Sequence, residues 1–568
     1  MKRTSVLLLS LISIASLTLA ACCAPPEATP QTVELEVTRV VKGEAITEIV
    51  TVTPMPKGGG TMGFRLAEDP ETLDGVLTIS ITAHGAMDPL YDRLFYFDSE
   101  GQVQGWLAKS WTVNEDQTVI TVELHEGVQF HDGTDLDAAA VKAHFDRILD
   151  PAIASPNLAS VGSLQEVNVV DTYTVEFVFE EPYAAFFINL TQAYFGIPSP
   201  TAVEELGDDF GRNPVGSGPF MFKEWIPGSQ ITLVKNPNYK QLRGDAVNQG
   251  PPLMDELVFH VIVEDSVAEA ALATGEIIAA SLSSDAIPTF LSDPNYQVVV
   301  DDLATNLTFL EFNYQKAPFD DPQFRRALGF AIDNEAISLA ARGGYANPAY
   351  SPLAVGIPGF DQAVADEYGM HYDPDTAIQM LADLGWEDTD GDGLLDKDGQ
   401  PARFRVLSYA GYNHITRSLE VIQDNFKDIG IEIEIELSDW GAFYPALLEE
   451  DWDMDLMRWT WDDASVMYDL LRSPGHRSKL PEDPELDEVL DLVATTMDPE
   501  LRAVYISQAQ QMILERGLIV PNITNWTMFA IRSNVNDYTL DFLGYLIWGD
   551  VWVTPEESRR KKADRADP

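Results

Sequence analysis

Cysteine is nearly absent: the 568 residues contain two, Cys22 and Cys23, side by side near the start. No disulfide can staple the body, and no catalytic thiol sits in it. Basic residues are scarce too, 36 Lys and Arg against 91 Asp and Glu, for a formal charge of −55. A surface this negative repels phosphates over a screening length of ~8 Å at physiological salt. No basic stripe offsets it, which argues against a nucleic-acid partner. The one basic cluster, Arg559 to Lys562 with Arg565, reads as a solvated polar tail. After the first 21 residues no apolar run approaches the ~18 that a spanning helix needs. Common catalytic signatures are missing as well. There is no Gly-rich loop ending in Gly-Lys-Ser/Thr, no Gly-x-Ser-x-Gly elbow and no His-Glu-x-x-His. His125-Glu126 and His131-Asp132 match no familiar ligand spacing. Among 91 acidic residues, carboxylate pairs arise by chance and say nothing about glycosidase chemistry.

What is present divides the chain. At roughly 100–200 residues per domain, the length allows two to four compact units with ample core. Lys2 and Arg3 precede an apolar run, Val6 to Ala21, that fits an export signal. The run closes on Leu19-Ala20-Ala21-Cys22, which resembles the lipobox of bacterial lipoproteins. That resemblance implies a signal peptide over 1–21, cleavage before Cys22 and lipidation there, with more than one acyl chain needed for lasting anchorage. Residues 22–57, rich in Pro, Thr, Val and Glu, read as a tether. Val33, Leu35 and Val37, then Ile49, Val50 and Val52, allow a short strand or hairpin within it. The body would then sit outside the membrane, held by lipid alone.

In the body, Asp321-Pro322, Asp373-Pro374 and Asp498-Pro499 each pair an N-cap with a proline suited to the first helical position. The first predicts a helix running to Gly343-Gly344, the second a helix ending at Gly385. Alternation predicts strands at Ile431, Ile433, Ile435, Leu437 and at Val175, Phe177, Phe179. Helices and strands intermix, so the fold class is α/β with several domains. One metal-like pattern stands out. Asp388, Asp390, Asp392 and Asp396 occupy positions 1, 3, 5 and 9 of a calcium loop, with Gly393 at 6 and the Leu394 carbonyl at 7. Position 12 is Gly399 in place of the bidentate Glu, so this is no standard EF-hand. It is either a structural Ca²⁺ site or an acidic hairpin.

Five blocks in order resemble one family. They are Pro70-Glu71-Thr72-Leu73-Asp74 with Leu90-Tyr91-Asp92-Arg93-Leu94; Trp106 to Trp111; Leu124 to Thr134; Asn213 to Phe220 with Lys235 to Tyr239; and Asn313 to Asp333. The sequence is similar to the peptide/nickel-type, family 5 substrate-binding proteins of ABC importers. That resemblance implies a two-lobed, type II-like periplasmic-binding-protein clamshell of cluster C type, with an extra domain on the first lobe. It places lobe I at 58–92, 211–304 and 522–553, the extra domain at 93–210, lobe II at 305–521 and a polar tail at 554–568. Hinge crossings are expected near 300–310 and 520–525. The implied role is capture of oligopeptides by lobe closure and delivery to a permease and its ATPase, as a monomer, without catalysis or required cofactor.

In peptide-binding relatives a Trp-x-x-Asp offers a carboxylate to the ligand's ammonium, which maps onto Trp459 and Asp462. Trp461 and Asp463 belong to the same candidate site, and Asp69-Pro70 resembles a loop that touches peptide backbone. Trp440, Phe443 and Tyr444 are further candidates to line the cleft. Trp459 and Trp461 could instead stack on sugar rings, so an oligosaccharide or another small solute is the alternative ligand. An extracellular hydrolase is the remote one, and a ligand sensor would share the fold.

Overall fold

The computed structural model describes residues 59–98, 101–410, 412–449, 451–473, 480–541, 544 and 546–554, and the backbone of two strands before them. The expected signal peptide, Cys22, most of the tether and nearly all of the polar tail lie outside the described residues. Residues 1–57 form a unit of their own, in which the anticipated hairpin is present. Val33–Val41 pairs antiparallel with Glu44–Val52, from Val33 opposite Val52 to Val41 opposite Glu44.

The remaining unit is two-lobed. In the first lobe, Phe220–Ile226, Gln230–Lys235, Glu256–Val261 and Thr61–Leu66 form a four-stranded sheet whose last pair is parallel. A three-stranded sheet joins Ala279–Ser281, Thr527–Arg532 and Tyr296–Asp301. Between these segments of chain, Ala108–Val113, Val119–Leu124, Thr174–Phe179 and Leu164–Asp171 build an antiparallel sheet. Val175, Phe177 and Phe179 alternate inward as their period of two requires, and Phe177 meets Phe145 of the helix Ala138–Leu149 edge-on at 5.0 Å.

The second lobe is organised on a six-stranded sheet. Its order is Ala346–Pro348, Ile519–Asn525, Asn306–Phe312, Met454–Thr460, Arg403–Tyr409, Glu432–Ser438. The edge strand Glu432–Ser438 buries Ile433 and turns Glu432, Glu434 and Glu436 to water, a charged rim that discourages edge pairing. Two large hydrophobic cores result. One runs from Met62 to Val551 and includes the extra domain; the other lies within residues 307–523. A smaller cluster centres on Leu272, Ile277 and Ala530.

The Asp-Pro caps form as their chemistry dictates: Asp321, Asp373 and Asp498 accept backbone N–H bonds from Gln323, Thr376 and Leu501. The single helix expected from 322 to 343 is two, Pro322–Phe330 and Asn334–Arg342. Asp333 is the reason, because its carboxylate accepts from Ala336 N–H and starts a new helix. The second then ends on Gly343 at φ +63°, where a left-handed residue closes the last turn.

Two crossings join the lobes. The chain leaves the three-stranded sheet at Asp301 and enters the six-stranded one at Asn306, then returns between Asn525 and Thr527. The second strand therefore stays in the second lobe's sheet through Asn525, beyond the expected boundary at 521. Asn306 and Asn525 hold the crossings side by side: Asn306 donates to the Asn525 carbonyl at 3.0 Å and accepts from its backbone N–H at 3.0 Å.

In the first lobe Arg93 and Asp88 form a 2.6 Å ion pair with side chains 2% and 5% exposed, and Arg93 also donates to the Thr191 carbonyl. Removing one charge strands the other away from water. Arg93→Leu should therefore cost about 3–5 kcal/mol, read as an earlier transition in thermal melting; an unchanged melt would contradict this assignment.

Candidate ligand-binding cleft

Arg403–Tyr409, Glu432–Ser438 and Met454–Thr460 run parallel, and the helices Asn413–Asp428 and Trp440–Leu448 start at the carboxyl ends of the first two. Open α/β sheets bind ligands outside those ends. Trp459, Trp461 and Asp462 stand there, beside the crossing at Thr305, whose carbonyl accepts from Trp461 N–H at 3.1 Å.

Asp462 is half-buried and accepts a 3.0 Å hydrogen bond from Gln192 of the first lobe. Burial, offset in part by hydrogen bonds from Gln192 and Thr305 and reinforced by the charge of Asp463, pushes its carboxyl up to about 6. No cation pairs with it among the described residues. Asp463 corrects an expectation. Instead of facing a ligand it is buried, with both oxygens on Arg502 at 2.7 and 2.8 Å and a third bond from Ser465 N–H. Burial alone would raise its pKa; the Arg502 charge and hydrogen bonds outweigh that and hold the carboxyl below its usual range.

Asp69 is corrected likewise. Its two oxygens accept from Trp225 Nε1 and Gly228 N–H, both at 2.8 Å, so it fastens the turn after Phe220–Ile226, while Pro70 is buried. The acidic neighbour that does reach this region is Glu71. Burial, then the charges of Asp462 and Glu71, raise the pKa of Tyr194, which places all three groups together.

Trp459 and Trp461 are half-buried and meet edge-to-face at 5.4 Å and 67°. They pack on the second core and line a narrow apolar cavity with Thr305, Pro352, Met467 and Leu470. Nearby Trp440 is 48% exposed, stacked on Tyr444 and edge-on to Tyr409, while Phe443 is buried.

A cationic group escaped sequence reasoning. Arg458 leaves the Met454–Thr460 strand, Arg342 ends a helix and His414 opens the helix Asn413–Asp428. Burial, then the charges of Arg458 and Arg342, push His414 down to about 3, so it is neutral, and its Nε2 is buried without a partner. Neither arginine has a carboxylate partner among the described residues; Arg342 donates to the Trp526 carbonyl alone, at 3.4 Å. In so acidic a chain, a pair of unneutralised guanidiniums is a signal that only the fold makes visible.

At the amino ends of the same strands, opposite the cleft, lies the calcium-like loop: Leu395 N–H donates to the Gly430 carbonyl, just before Glu432–Ser438. Exposed Asp388, Asp390 and Asp392 bring ligand oxygens within 4.8 Å of one another. Asp388 accepts from Gly391 and Gly393 N–H, while Asp396 accepts from the Thr389 hydroxyl at 3.1 Å. Three hard donors are thus gathered, a set that fits Ca²⁺ chemically.

Comparison with known proteins agrees with this architecture. Residues 102–479 match the family described as bacterial extracellular solute-binding proteins, family 5 Middle. The glutathione-binding protein GsiB of Salmonella paratyphi A is 26% identical over 484 residues, 82% of this chain and 89% of that protein. The oligopeptide-binding protein AppA of Bacillus subtilis, solved with a nonapeptide, superposes with TM-score 0.70 at 25% identity, over 88% of this chain and 100% of that one. CtaP of Listeria monocytogenes, an ABC transporter substrate-binding protein, shares the fold at TM-score 0.76 and 22% identity, over 88% of this chain and 100% of its own. A family match of that length, on a two-lobed body with its candidate site at the lobe junction, makes this chain a member of the bacterial extracellular solute-binding proteins of family 5, substrate-binding components of ABC importers.

Proposed function

We propose that the protein captures short peptides, pairing the ligand's ammonium with Asp462 and its carboxylate with Arg458 and Arg342 beside His414. The observation that carries this reading is the arrangement of an unpaired carboxylate and an unneutralised cation pair at one end of one sheet. A zwitterion supplies both missing charges; a neutral sugar supplies neither. The edge-to-face packing of Trp459 and Trp461 also argues against a flat stacking platform for sugar rings. Among relatives, GsiB binds glutathione and AppA was solved with a nonapeptide, which supports the same class.

Closure would pivot on residues 302–305 and Trp526, and the closed form would dock on the permease without any bond being made or broken. Anchorage through Cys22 on the outer side of the cell membrane, and a monomeric state, complete the proposal. So does Ca²⁺ at Asp388, Asp390 and Asp392, aided by the Leu394 carbonyl and Asp396, as a clamp on a surface loop.

Three outcomes are expected. Isothermal titration with a binding peptide and its N-acetylated form should show that blocking the amine, or Asp462→Ala, weakens affinity about 100-fold or more, as loss of a buried charge partner of ~3–5 kcal/mol requires. Equal affinity would remove the ammonium role. Affinity should also hold above the ordinary carboxylate range near 4 and fall about tenfold per unit below it, because protonation of Asp462 in the open, ligand-free protein removes the charge that attracts the amine. Added Ca²⁺ should raise the melting temperature in the parent protein and not in Asp390→Asn; no shift in the parent leaves the loop a plain hairpin.

A further inference from the structure

The lobes touch across the cleft at more than one place. Ala184 N–H donates to the Ala494 carbonyl at 2.9 Å, and Met497 N–H to Gln117 Oε1 at 3.2 Å. Those contacts involve no charged group. The Gln192 bond is different in kind, because it ends on the carboxylate assigned above to the ligand.

Both ends of that bond are held rigidly. On the first lobe, the residue before Gln192 gives its carbonyl to Arg93 Nη1 at 2.9 Å. The residue after it, Ala193, donates its N–H to His84 Nε2 at 2.9 Å. Arg93 and His84 are 2% and 1% exposed. Burial holds His84 down at about 4, so it is neutral and its Nε2 serves as an acceptor. On the second lobe, Trp461 is tied to Thr305 and Asp463 to Arg502, so Asp462 is flanked by two fastened residues. A glutamine pinned on both sides, aimed at a carboxylate pinned on both sides, is a preorganised contact rather than a chance one.

We propose that Gln192 is a positioning residue acting across the cleft: its amide completes the hydrogen bonding of Asp462 only when the lobes meet, so the anchoring carboxylate itself senses closure. The consequence rests on the reading of Asp462 as the ligand's anchor. In the open protein water solvates Asp462. On closure Gln192 and Thr305 replace that water, and the ligand's amine supplies the charge they lack.

Closure without ligand therefore buries an uncompensated charge. The groups around it are Asp463, already neutralised by Arg502, and Glu71 and Tyr194 from the first lobe, none of which is a cation free to help. Asp462 has a higher pKa in the closed form than the ordinary carboxylate range near 4. Ligand-free closure is thus favoured at low pH and is lost as pH rises from about 4 to about 6, by roughly tenfold per unit, then levels off.

The test is pulsed electron resonance on ligand-free full-length protein, with Cys22 and Cys23 replaced by Ser and spin labels at Val170 and Leu339, which are 57% and 69% exposed on opposite lobes. In the parent, the closed population should fall between pH 4 and 6. Gln192→Leu should lower the closed-to-open ratio at pH 7.5 by roughly tenfold or more, the loss of a hydrogen bond to a charged group. Gln192→Asn, too short to span, should do the same and guards against a packing defect in the leucine variant. Asp462→Asn should close at every pH and lose the pH dependence. Distance distributions for Gln192→Leu and Gln192→Asn that match the parent at both pH 5 and pH 7.5 would overturn the proposal. Because no ligand is present, that result is separable from a failure of the peptide reading, which shows instead as absent peptide binding with normal closure.

Discussion

A carboxylate held half out of water, hydrogen-bonded from two sides and given no cation, is the constraint around which this cleft is organised. Asp462 is supplied with donors by Gln192 and Thr305 but, among the described residues, with no counter-charge. Charged groups are costly to bury in that state, and the cost is removed by a ligand cation or a proton. The neighbouring residue shows the contrast. Asp463 is more deeply buried and has its own arginine in bidentate contact, so it asks nothing of a ligand and instead fastens the loop beyond the strand to the helix Pro499–Glu515.

The rest of the molecule places that carboxylate at the boundary between two independently packed cores. Each lobe buries its own hydrophobic cluster, and the chain passes between them at two short crossings clipped together by Asn306 and Asn525. Such an arrangement concentrates motion at a few residues while the surfaces that meet stay rigid. Asp462, the cations Arg458 and Arg342 and the neutral His414 gather at the carboxyl end of the second lobe's parallel strands, whereas the acidic loop at Asp388 lies at the other.

Local chemistry was legible in the sequence. Asp-Pro caps, the alternating strands and the hairpin at 33–52 rest on short-range patterns, and the structure has them. One long helix was misread because Asp333 restarts the helix without a proline to mark it. The candidate site was visible in part. Trp459, Trp461 and Asp462 form one motif at the end of the strand Met454–Thr460, but adjacency misled at Asp463, whose partner Arg502 is 39 residues away. Asp69 looked like a ligand contact because a loop of polar residues gives no hint that Trp225 and Gly228 already occupy both oxygens. Gln192 had no local signature at all, since its meaning comes from a residue 270 positions distant. The cations Arg342 and Arg458 and the neutral His414 come from three separate elements, and only topology gathers them.

The central claim is that a zwitterion fits between Asp462 and the cations. Native followed by denaturing mass spectrometry of freshly purified protein would test it most directly. The account predicts release of short peptides with free termini, displaced stoichiometrically and unaltered. A retained oligosaccharide, with masses spaced by hexose units, would contradict it.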